Sequence, residues 1–294
     1  MSAPAGNPAT SPSRRTARWL DRRWRQFGTG VSFAIFGGVG LLFGATVFPV
    51  IGLTARNAAV AKRRSQFVVW AWFWTFSRIM RTLGVITWEI HGADKLRRPG
   101  QLIIANHPTL IDVVLLIGHI PKIDCIVKEA LFRNPFTRGP VTWAGYISNS
   151  TPVQLVADCA ATLKAGNSLM IFPEGTRSRP GEALQIPHGT ARIALESGAP
   201  ILPVTIRCEP LMLNKGRPWY DVPLRPGHYR IEVGEAYTAE TLLREAPSLT
   251  IAARRLSQQW VRDFGEKAAP AVLALLLPLL CALAGAGETA TAAC

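Results

Sequence analysis

The chain has 294 residues, a formal net charge of +14 and an isoelectric point of about 10.4. This length suits one catalytic domain with membrane-contacting ends. The positive charge favours an anionic partner. Strongly apolar segments and the lack of a nucleic-acid-binding motif favour a membrane over a nucleic acid as that partner. The five cysteines are scattered without a Cys-x-x-Cys pair, which argues against a disulfide framework or a zinc site and fits a reduced, cytoplasm-facing domain.

Residues 1–25 are predicted to form a disordered, basic N-terminus. The segment 1–13 is rich in Ala, Pro and Ser and lacks periodicity, as disordered segments do. Arginines between residues 14 and 25 are interleaved with Trp19 and Trp24, a combination that suits the headgroup layer of an anionic membrane. A solvated basic tail is the alternative.

Residues 26–83 are predicted to be a helical region associated with the membrane. The segment 26–55 carries no charge and exceeds the roughly 20 residues that a spanning helix needs. Its glycines and Pro49 could bend it, and basic residues flank both sides, which disfavours a single crossing. A single crossing and a re-entrant segment or hairpin both remain open. The aromatic segment 67–76 fits a helix at the membrane interface or a helix in the domain core equally well.

Residues 84–267 are predicted to form the catalytic domain. Strand patterns alternate with helix patterns, which favours an α/β fold with a central, mostly parallel sheet flanked by helices. The predicted strands are 86–92, 102–105, 125–127, 169–172, 201–206 and 229–233, and the helices include 151–163 and 190–196. Pro203 suggests an edge strand or a bulge. Residues 268–294 are predicted to be an apolar C-terminal helix, interrupted by prolines, that spans the bilayer or dips into it.

The segment Asn106-His107-Pro108-Thr109-Leu110-Ile111-Asp112 lies at a strand-to-helix turn, where active sites often lie in α/β sheets. Five helical positions separate two side chains by about 140°, so His107 and Asp112 would not share the face of a regular helix. Proline fits the first helical position. We therefore expect His107 at the helix cap, with its ring folded back toward Asp112 as a general base with an orienting carboxylate.

A second segment, Phe172-Pro173-Glu174-Gly175-Thr176-Arg177-Ser178, follows the strand 169–171. Together the two segments resemble the glycerolipid (lysophospholipid) acyltransferase family, over roughly residues 85–240. The resemblance implies direct acyl transfer from acyl-CoA or acyl carrier protein to a lipid hydroxyl, without an acyl-enzyme, a cofactor or a metal. It implies that His107 and Asp112 are catalytic and that Glu174, Gly175, Thr176 and Arg177 bind the acceptor. Further substrate contacts are predicted for Asn106, Thr109 and Lys128.

The residues themselves are compatible with this chemistry. A neutral imidazole can take the proton of the acceptor hydroxyl, and the chain lacks a Gly-x-Ser-x-Gly nucleophile elbow. Backbone amides near the turn at 106–112 are the default expectation for the oxyanion donors. A metal-dependent hydrolase is a weaker hypothesis, because the segment offers fewer than the usual three ligands.

Two departures from the family pattern concern the acceptor. Segment 145–150 lacks the expected arginine, and Pro187-His188 stands where Phe-Lys is expected. Losing two charge-assisted hydrogen bonds of about 1.5–3 kcal/mol each would weaken phosphate binding a hundredfold or more. The acceptor is therefore either lysophosphatidate-like, with compensation from Lys128, Arg133, Arg138 or Arg179, or it is an amino-acid lipid, a glycolipid or a polyene lipid.

The expected partners are membrane lipids and the acyl donor, and nucleic acid is not expected. The expected location is the inner cell membrane, with the catalytic domain on the cytoplasmic side. The alternative from another class is a non-catalytic, lipid-binding membrane protein.

Overall fold

The computed structural model describes residues 12–179 and 182–268, and this part of the chain forms one seven-stranded sheet with its helices. The helices are α1 (Pro12–Ala45), α2 (Val47–Thr54), α3 (Ala58–Thr82), α4 (Asp112–Ile117), α5 (Ala130–Arg133), α6 (Pro135–Trp143), α7 (Pro152–Lys164), α8 (His188–Ser197), α9 (Glu240–Glu245) and α10 (Leu249–Ala268). The strands are β1 (Ile86–His91), β2 (Leu102–Ala105), β3 (Asp124–Val127), β4 (Ile147–Ser148), β5 (Leu169–Ile171), β6 (Ile201–Glu209) and β7 (Gly227–Val233). A short 3-10 helix, Ala93–Arg97, follows β1.

The strands lie in the order β1-β7-β6-β2-β5-β3-β4, and neighbours are parallel except for the antiparallel pair β6–β7. Successive side chains of β2 enter two different hydrophobic cores. Ile103 and Ala105 pack in one core, and Leu102 and Ile104 pack in the other. Because strand side chains alternate between the two faces, this pattern means that helices cover both faces of the sheet. The predicted α/β fold with a mostly parallel sheet is confirmed.

Pro203 does not mark an edge strand, because β6 lies between β7 and β2. The carbonyl of Pro203 accepts a hydrogen bond from the amide of Gly234, on the β7 side. The nitrogen of a strand residue points to the same side as its carbonyl. The missing N–H of the proline therefore faces β7 at the point where the β6–β7 register ends, with Val204 opposite Val233, and an interior strand tolerates it there.

The helix after β2 begins later than predicted. Pro108 does not open it: α4 starts at Asp112, and residues 106–111 form an irregular loop. Side chains hold this loop out of helical geometry, because the amide of Thr109 donates to the Asp112 carboxylate and the amide of Ile111 donates to the Thr109 hydroxyl. Such local bonds offer the backbone an alternative to the helix.

The basic N-terminal segment is helical rather than disordered from residue 12 onward, where α1 begins. Its last part is tied to the domain. The Arg25 side chain is buried and donates to the carbonyl of Pro223 at 3.2 Å, and the indole of Trp24 donates to the carbonyl of Leu83 at 2.9 Å. These contacts stabilise the helix against the domain, which is why composition alone misjudged it. The predicted disorder of residues 1–11 lies outside the described residues.

The uncharged segment 26–55 folds as the rest of α1 and as α2, with a break at Thr46. Among the described residues, Arg18–Thr54 is the one helical stretch that is long and apolar enough to cross a membrane. One side of it packs on α6, where a Cβ added to Gly139 would lie 2.6 Å from the Cα of Gly44. Other side chains face outward, and Leu53 is 87% exposed.

The aromatic segment 67–76 lies in α3, where it is partly in the domain core, and its predicted place at the membrane interface stays a prediction. Phe76 is buried in the core, with its ring centroid 4.9 Å from that of Phe36 on α1. Phe67 and Trp74 are exposed, and the guanidinium of Arg78 lies 4.0 Å from the Trp74 ring centre. Of the predicted apolar C-terminal helix, residues 268–294, the part from residue 269 onward lies outside the described residues.

Candidate active site

The candidate site lies where β2 and β5 end. These strands are parallel neighbours in register, with Ile104 opposite Ile171. The loops that follow them, 106–111 and 172–178, therefore leave the sheet at the same edge, where open α/β sheets usually bind their ligands. The amide of Ser178 donates to the carbonyl of His107 at 2.8 Å and joins the two loops directly.

The expected contact between His107 and Asp112 is present. Nδ1 of His107 lies 2.9 Å from Oδ2 of Asp112, whose side chain is fully buried. The imidazole also stacks on the ring of Phe172, with centroids 4.3 Å apart. The carboxylate fixes the proton on Nδ1, so Nε2 is the ring nitrogen left to accept a proton. The His107 side chain keeps 14% of its surface exposed, which leaves it accessible to a substrate.

Thr109 supports Asp112 and is not placed to contact a substrate. It is fully buried, and its hydroxyl donates to Oδ1 of Asp112 at 2.6 Å. The Thr109 hydroxyl oxygen also lies 3.0 Å from the hydroxyl of Tyr229 on β7. Because the threonine proton is already used, Tyr229 must be the donor of that bond. Burial raises the pKa of the Tyr229 phenol well above its usual value, which keeps the group protonated for this role.

Tyr229 was missed by sequence reasoning. It is one of the alternating inward residues of a strand and carries no motif. Finding it requires the pairing of β7 with β1 and β6, which local sequence patterns do not reveal.

Glu174 holds the backbone of His107. One carboxylate oxygen accepts the amide proton of His107 at 3.0 Å, and the other accepts the Ser178 hydroxyl proton at 2.7 Å. Burial raises the pKa of the Glu174 carboxyl, and the hydrogen bonds from Ser178 and from the His107 amide oppose that rise. Gly175 follows with a φ of +66°, in the left-handed region that favours glycine. The geometry thus gives Glu174 a positioning contact with His107, and its predicted contact with the substrate stays a prediction.

Arg177 reaches the connection between β6 and β7, residues 210–226, which we call the β6–β7 loop. Its Nη1 donates to the carbonyl of Leu213 at 2.9 Å, and the amide of Leu110 donates to the same carbonyl at 3.1 Å. Thr176 and Arg177 line a cleft of about 360 Å³, to which Lys215 of the β6–β7 loop also contributes. Lys215 was not identified from the sequence, because no motif surrounds it.

Two other residues predicted to contact the substrate, Asn106 and Lys128, do not line the cleft. Asn106 is buried, and its side-chain amide accepts from the amide of Ile206 at 2.7 Å and donates to the carbonyl of the same residue at 2.8 Å. Its buried side chain extends the β2–β6 pairing by one step. Lys128 is exposed after β3 and is not among the residues lining the cleft.

The amides of the turn are also already used. His107 donates to Glu174, Thr109 donates to Asp112, Leu110 donates to the Leu213 carbonyl and Ile111 donates to the Thr109 hydroxyl, while residue 108 is a proline. These four amides already have acceptors, and the expectation that backbone amides near the turn form the oxyanion hole stays a prediction. Within the described residues, no three His, Cys, Asp or Glu side chains are grouped so that they could hold a metal ion.

Comparisons with known proteins agree with this picture. Residues 87–207 match the protein-family model described as Acyltransferase. The 1-acyl-sn-glycerol-3-phosphate acyltransferase of Pseudomonas aeruginosa is 23% identical over 230 residues, which cover 76% of this chain and 83% of that enzyme. The enzymes of the same name from Cocos nucifera and Borreliella burgdorferi are 34% and 32% identical over 35% and 40% of this chain. Those matches span 36% and 50% of the two relatives' own lengths.

A solved structure extends the comparison to the fold. The crystal structure of the 1-acyl-sn-glycerophosphate acyltransferase PlsC from Thermotoga maritima superposes with a TM-score of 0.56 at 21% identity. The match covers 85% of this chain and 98% of that one, so the two share their fold well beyond the matched domain. Residues 87–207, which the family model matches, hold both loops of the site, so this chain carries an Acyltransferase domain and is similar to the 1-acyl-sn-glycerol-3-phosphate acyltransferases.

Proposed function

We propose that this acyltransferase moves a fatty acyl group from acyl-CoA or acyl carrier protein to the hydroxyl of a lysophosphatidate-like lipid at a membrane surface. The observation that carries the proposal is the buried Asp112 carboxylate 2.9 Å from Nδ1 of His107, which leaves Nε2 as the proton acceptor. The names of the relatives support a phosphate-bearing acceptor of the 1-acyl-sn-glycerol-3-phosphate type.

The proposed reaction is a direct transfer. Nε2 of His107 removes the proton of the acceptor hydroxyl as its oxygen attacks the thioester carbonyl. Asp112 stabilises the imidazolium that forms, as the carboxylate does in hydrolase triads. The tetrahedral intermediate collapses, the carbon–sulfur bond breaks, and the imidazolium returns its proton to the departing thiolate. The products are the acylated lipid and the free thiol, and no cofactor beyond the thioester is required.

Glu174 contributes by position in this proposal. Its carboxylate and Ser178 hold the His107 peptide from both sides, through the His107 amide and carbonyl. The ring is held in turn by Asp112 and Phe172. A general base must keep its geometry to within fractions of an ångström to be effective, and this set of contacts supplies that constraint.

The test is thioester consumption by purified wild type, His107→Ala and a control, His91→Ala. His91 lies on β1 with 63% of its side chain exposed. Each protein receives acyl-CoA or acyl carrier protein with lysophosphatidate or with lyso-lipids that lack phosphate. We expect His107→Ala to lose about 10²–10⁴-fold in kcat while His91→Ala keeps wild-type rates. Equal rates for His107→Ala and wild type, or no transfer by wild type to any acceptor, would contradict the proposal.

We further propose that the N-terminal region attaches the protein to the cytoplasmic leaflet of the inner membrane. Leu41, Leu42, Val50 and Leu53 expose apolar surface along α1 and α2, and Phe67 and Trp74 do so on α3. Large exposed apolar surfaces mark membrane or protein contact sites. Co-flotation with vesicles of anionic and zwitterionic lipid tests this. We expect flotation with both vesicle types, and more with anionic ones at low salt, whereas a protein that stays in the unfloated fraction throughout would contradict the attachment.

A further inference from the structure

The cleft beside the candidate active site has more cationic than anionic side chains in its lining. It is lined by Glu174, Thr176, Arg177, Arg179, Glu182 and Lys215, among others. The two carboxylates are already engaged, because Glu174 binds His107 and Ser178, and Glu182 pairs with Arg179 at 2.9 Å. Arg177 and Lys215 are left to act on a ligand in this cleft.

Arg177 and Lys215 retain donors that no carboxylate neutralises. Of the guanidinium nitrogens of Arg177, Nη1 is the one bound to a described residue, and its partner is the uncharged Leu213 carbonyl. Lys215 is half-buried and forms no ion pair with a described carboxylate. Two cations free of counterions at one cleft favour an anionic group, and a guanidinium with an ammonium suits a phosphate.

The position of Lys215 is fixed by the loop that carries it. Leu213 adopts a left-handed conformation with a φ of +52°, which is uncommon for a residue other than glycine. Its carbonyl is held by the Leu110 amide from the first site loop and by Arg177 from the second. Lys215 follows two residues later, so the same contacts that join the two site loops place this residue at the cleft.

We propose that Lys215 is a specificity-determining residue that, together with Arg177, binds the phosphate of a phosphorylated lyso-lipid acceptor. This inference rests on the proposed function and names the acceptor class. It also accounts for the departures at segments 145–150 and 186–190, which lack two expected cations. In this chain Lys215 replaces part of that missing positive charge from a different loop, the β6–β7 loop.

The test compares Lys215→Ala and Lys215→Arg with a matched control, Arg217→Ala. Arg217 lies on the same loop, has 64% of its side chain exposed, pairs with Asp221 and is not among the cleft residues. The substrates are lysophosphatidate and monoacylglycerol of the same chain length. We expect Lys215→Ala to raise the KM for lysophosphatidate about tenfold to a hundredfold and to leave the KM for monoacylglycerol within about twofold. Lys215→Arg should retain most of the affinity, since the charge is kept.

A binding measurement without thioester separates this inference from the proposed reaction. Lysophosphatidate and monoacylglycerol are presented in neutral detergent micelles, and their affinities for wild type, Lys215→Ala and Arg217→Ala are compared. Selective loss of lysophosphatidate affinity in Lys215→Ala supports the inference even where no acyl transfer is detected. It is overturned if wild type binds both lipids equally, or if Lys215→Ala binds lysophosphatidate as well as Arg217→Ala does.

Discussion

Asp112→Asn tests whether the aspartate acts through its charge on His107. The substitution keeps the shape of a fully buried side chain. The amide oxygen can still accept from Nδ1 of His107 and from the Thr109 amide. The new NH2 group then faces the Thr109 hydroxyl, which can turn its proton toward Tyr229. We therefore expect the free energy of unfolding to fall by only about 1 kcal/mol, the size of one rearranged hydrogen bond.

The magnitude of the effect on catalysis follows from the distance between the two side chains. A unit charge on the imidazole and one on the carboxylate, with closest atoms 2.9 Å apart, attract by about 6 kcal/mol at an effective dielectric constant of about 20. The charge centres lie farther apart than the closest atoms, so this value is an upper bound. Each factor of ten in rate corresponds to about 1.4 kcal/mol. We expect kcat to fall by about 10²–10⁴-fold, with the KM of the acceptor unchanged within about threefold.

The assay is single-turnover acyl transfer by wild type, Asp112→Asn, His107→Ala and the double variant. If Asp112 acts only through His107, the double variant has the rate of His107→Ala, because residues that act as a unit are not additive. Asp158→Asn removes an exposed carboxylate on α7 and is the control for the change in net charge. A loss below about threefold in Asp112→Asn, or a further loss when it is added to His107→Ala, would refute the reasoning.

Tyr229→Phe is expected to lower the free energy of unfolding by about 0.5–1.5 kcal/mol in urea titrations, and to lower kcat less than Asp112→Asn does, because Tyr229 reaches the carboxylate through Thr109. Lys62→Met removes the ammonium 2.7 Å from the buried Asp124. Burial raises the pKa of the Asp124 carboxyl, while Lys62 lowers it. The folded state therefore holds the Asp124 proton more tightly than the unfolded state does, and the protein loses stability as the pH rises through the raised pKa. The variant should be about 1–3 kcal/mol less stable than wild type at pH 7 and closer to it near pH 4, and a loss independent of pH would contradict this. Arg25→Met removes the side chain that binds the Pro223 carbonyl. In steady-state assays we expect this substitution to raise the KM for the acceptor more than the KM for the thioester, and equal changes in the two KM values would count against a link between α1 and the acceptor.

The sequence predicted the contact between His107 and Asp112 but not the geometry that makes it. The spacing excluded a shared helix face, and Pro108 offered a simple way to bring the residues together. The structure instead has an irregular loop, because the Thr109 side chain and amide bind Asp112. Propensities of single residues do not include such bonds between side chain and backbone, so the helix start was placed four residues early.

The roles of Asn106 and Glu174 needed contacts that are distant in sequence. Asn106 binds the backbone of Ile206, and Glu174 binds the amide of His107. A motif identifies which residues matter, but a buried amide or carboxylate serves the backbone or the substrate depending on the strand order. That order places β6 and β5 on either side of β2, and neither hydrophobic pattern nor spacing specifies it.

The proposed acceptor site and the apolar N-terminal helix meet at the β6–β7 loop. Gln26 on α1 donates to the carbonyl of Tyr220 at 3.0 Å, and Phe33 packs edge-on against Trp219 with ring centroids 6.3 Å apart. The other end of the same loop holds Arg177 through the Leu213 carbonyl. Ordering a loop of this length costs conformational entropy for every residue held, and bonds from α1 offset part of that cost. The helix that would lie against the lipid therefore also orders the loop that would receive the lipid's phosphate, so the proposed membrane attachment and the shape of the proposed acceptor site would depend on one set of contacts.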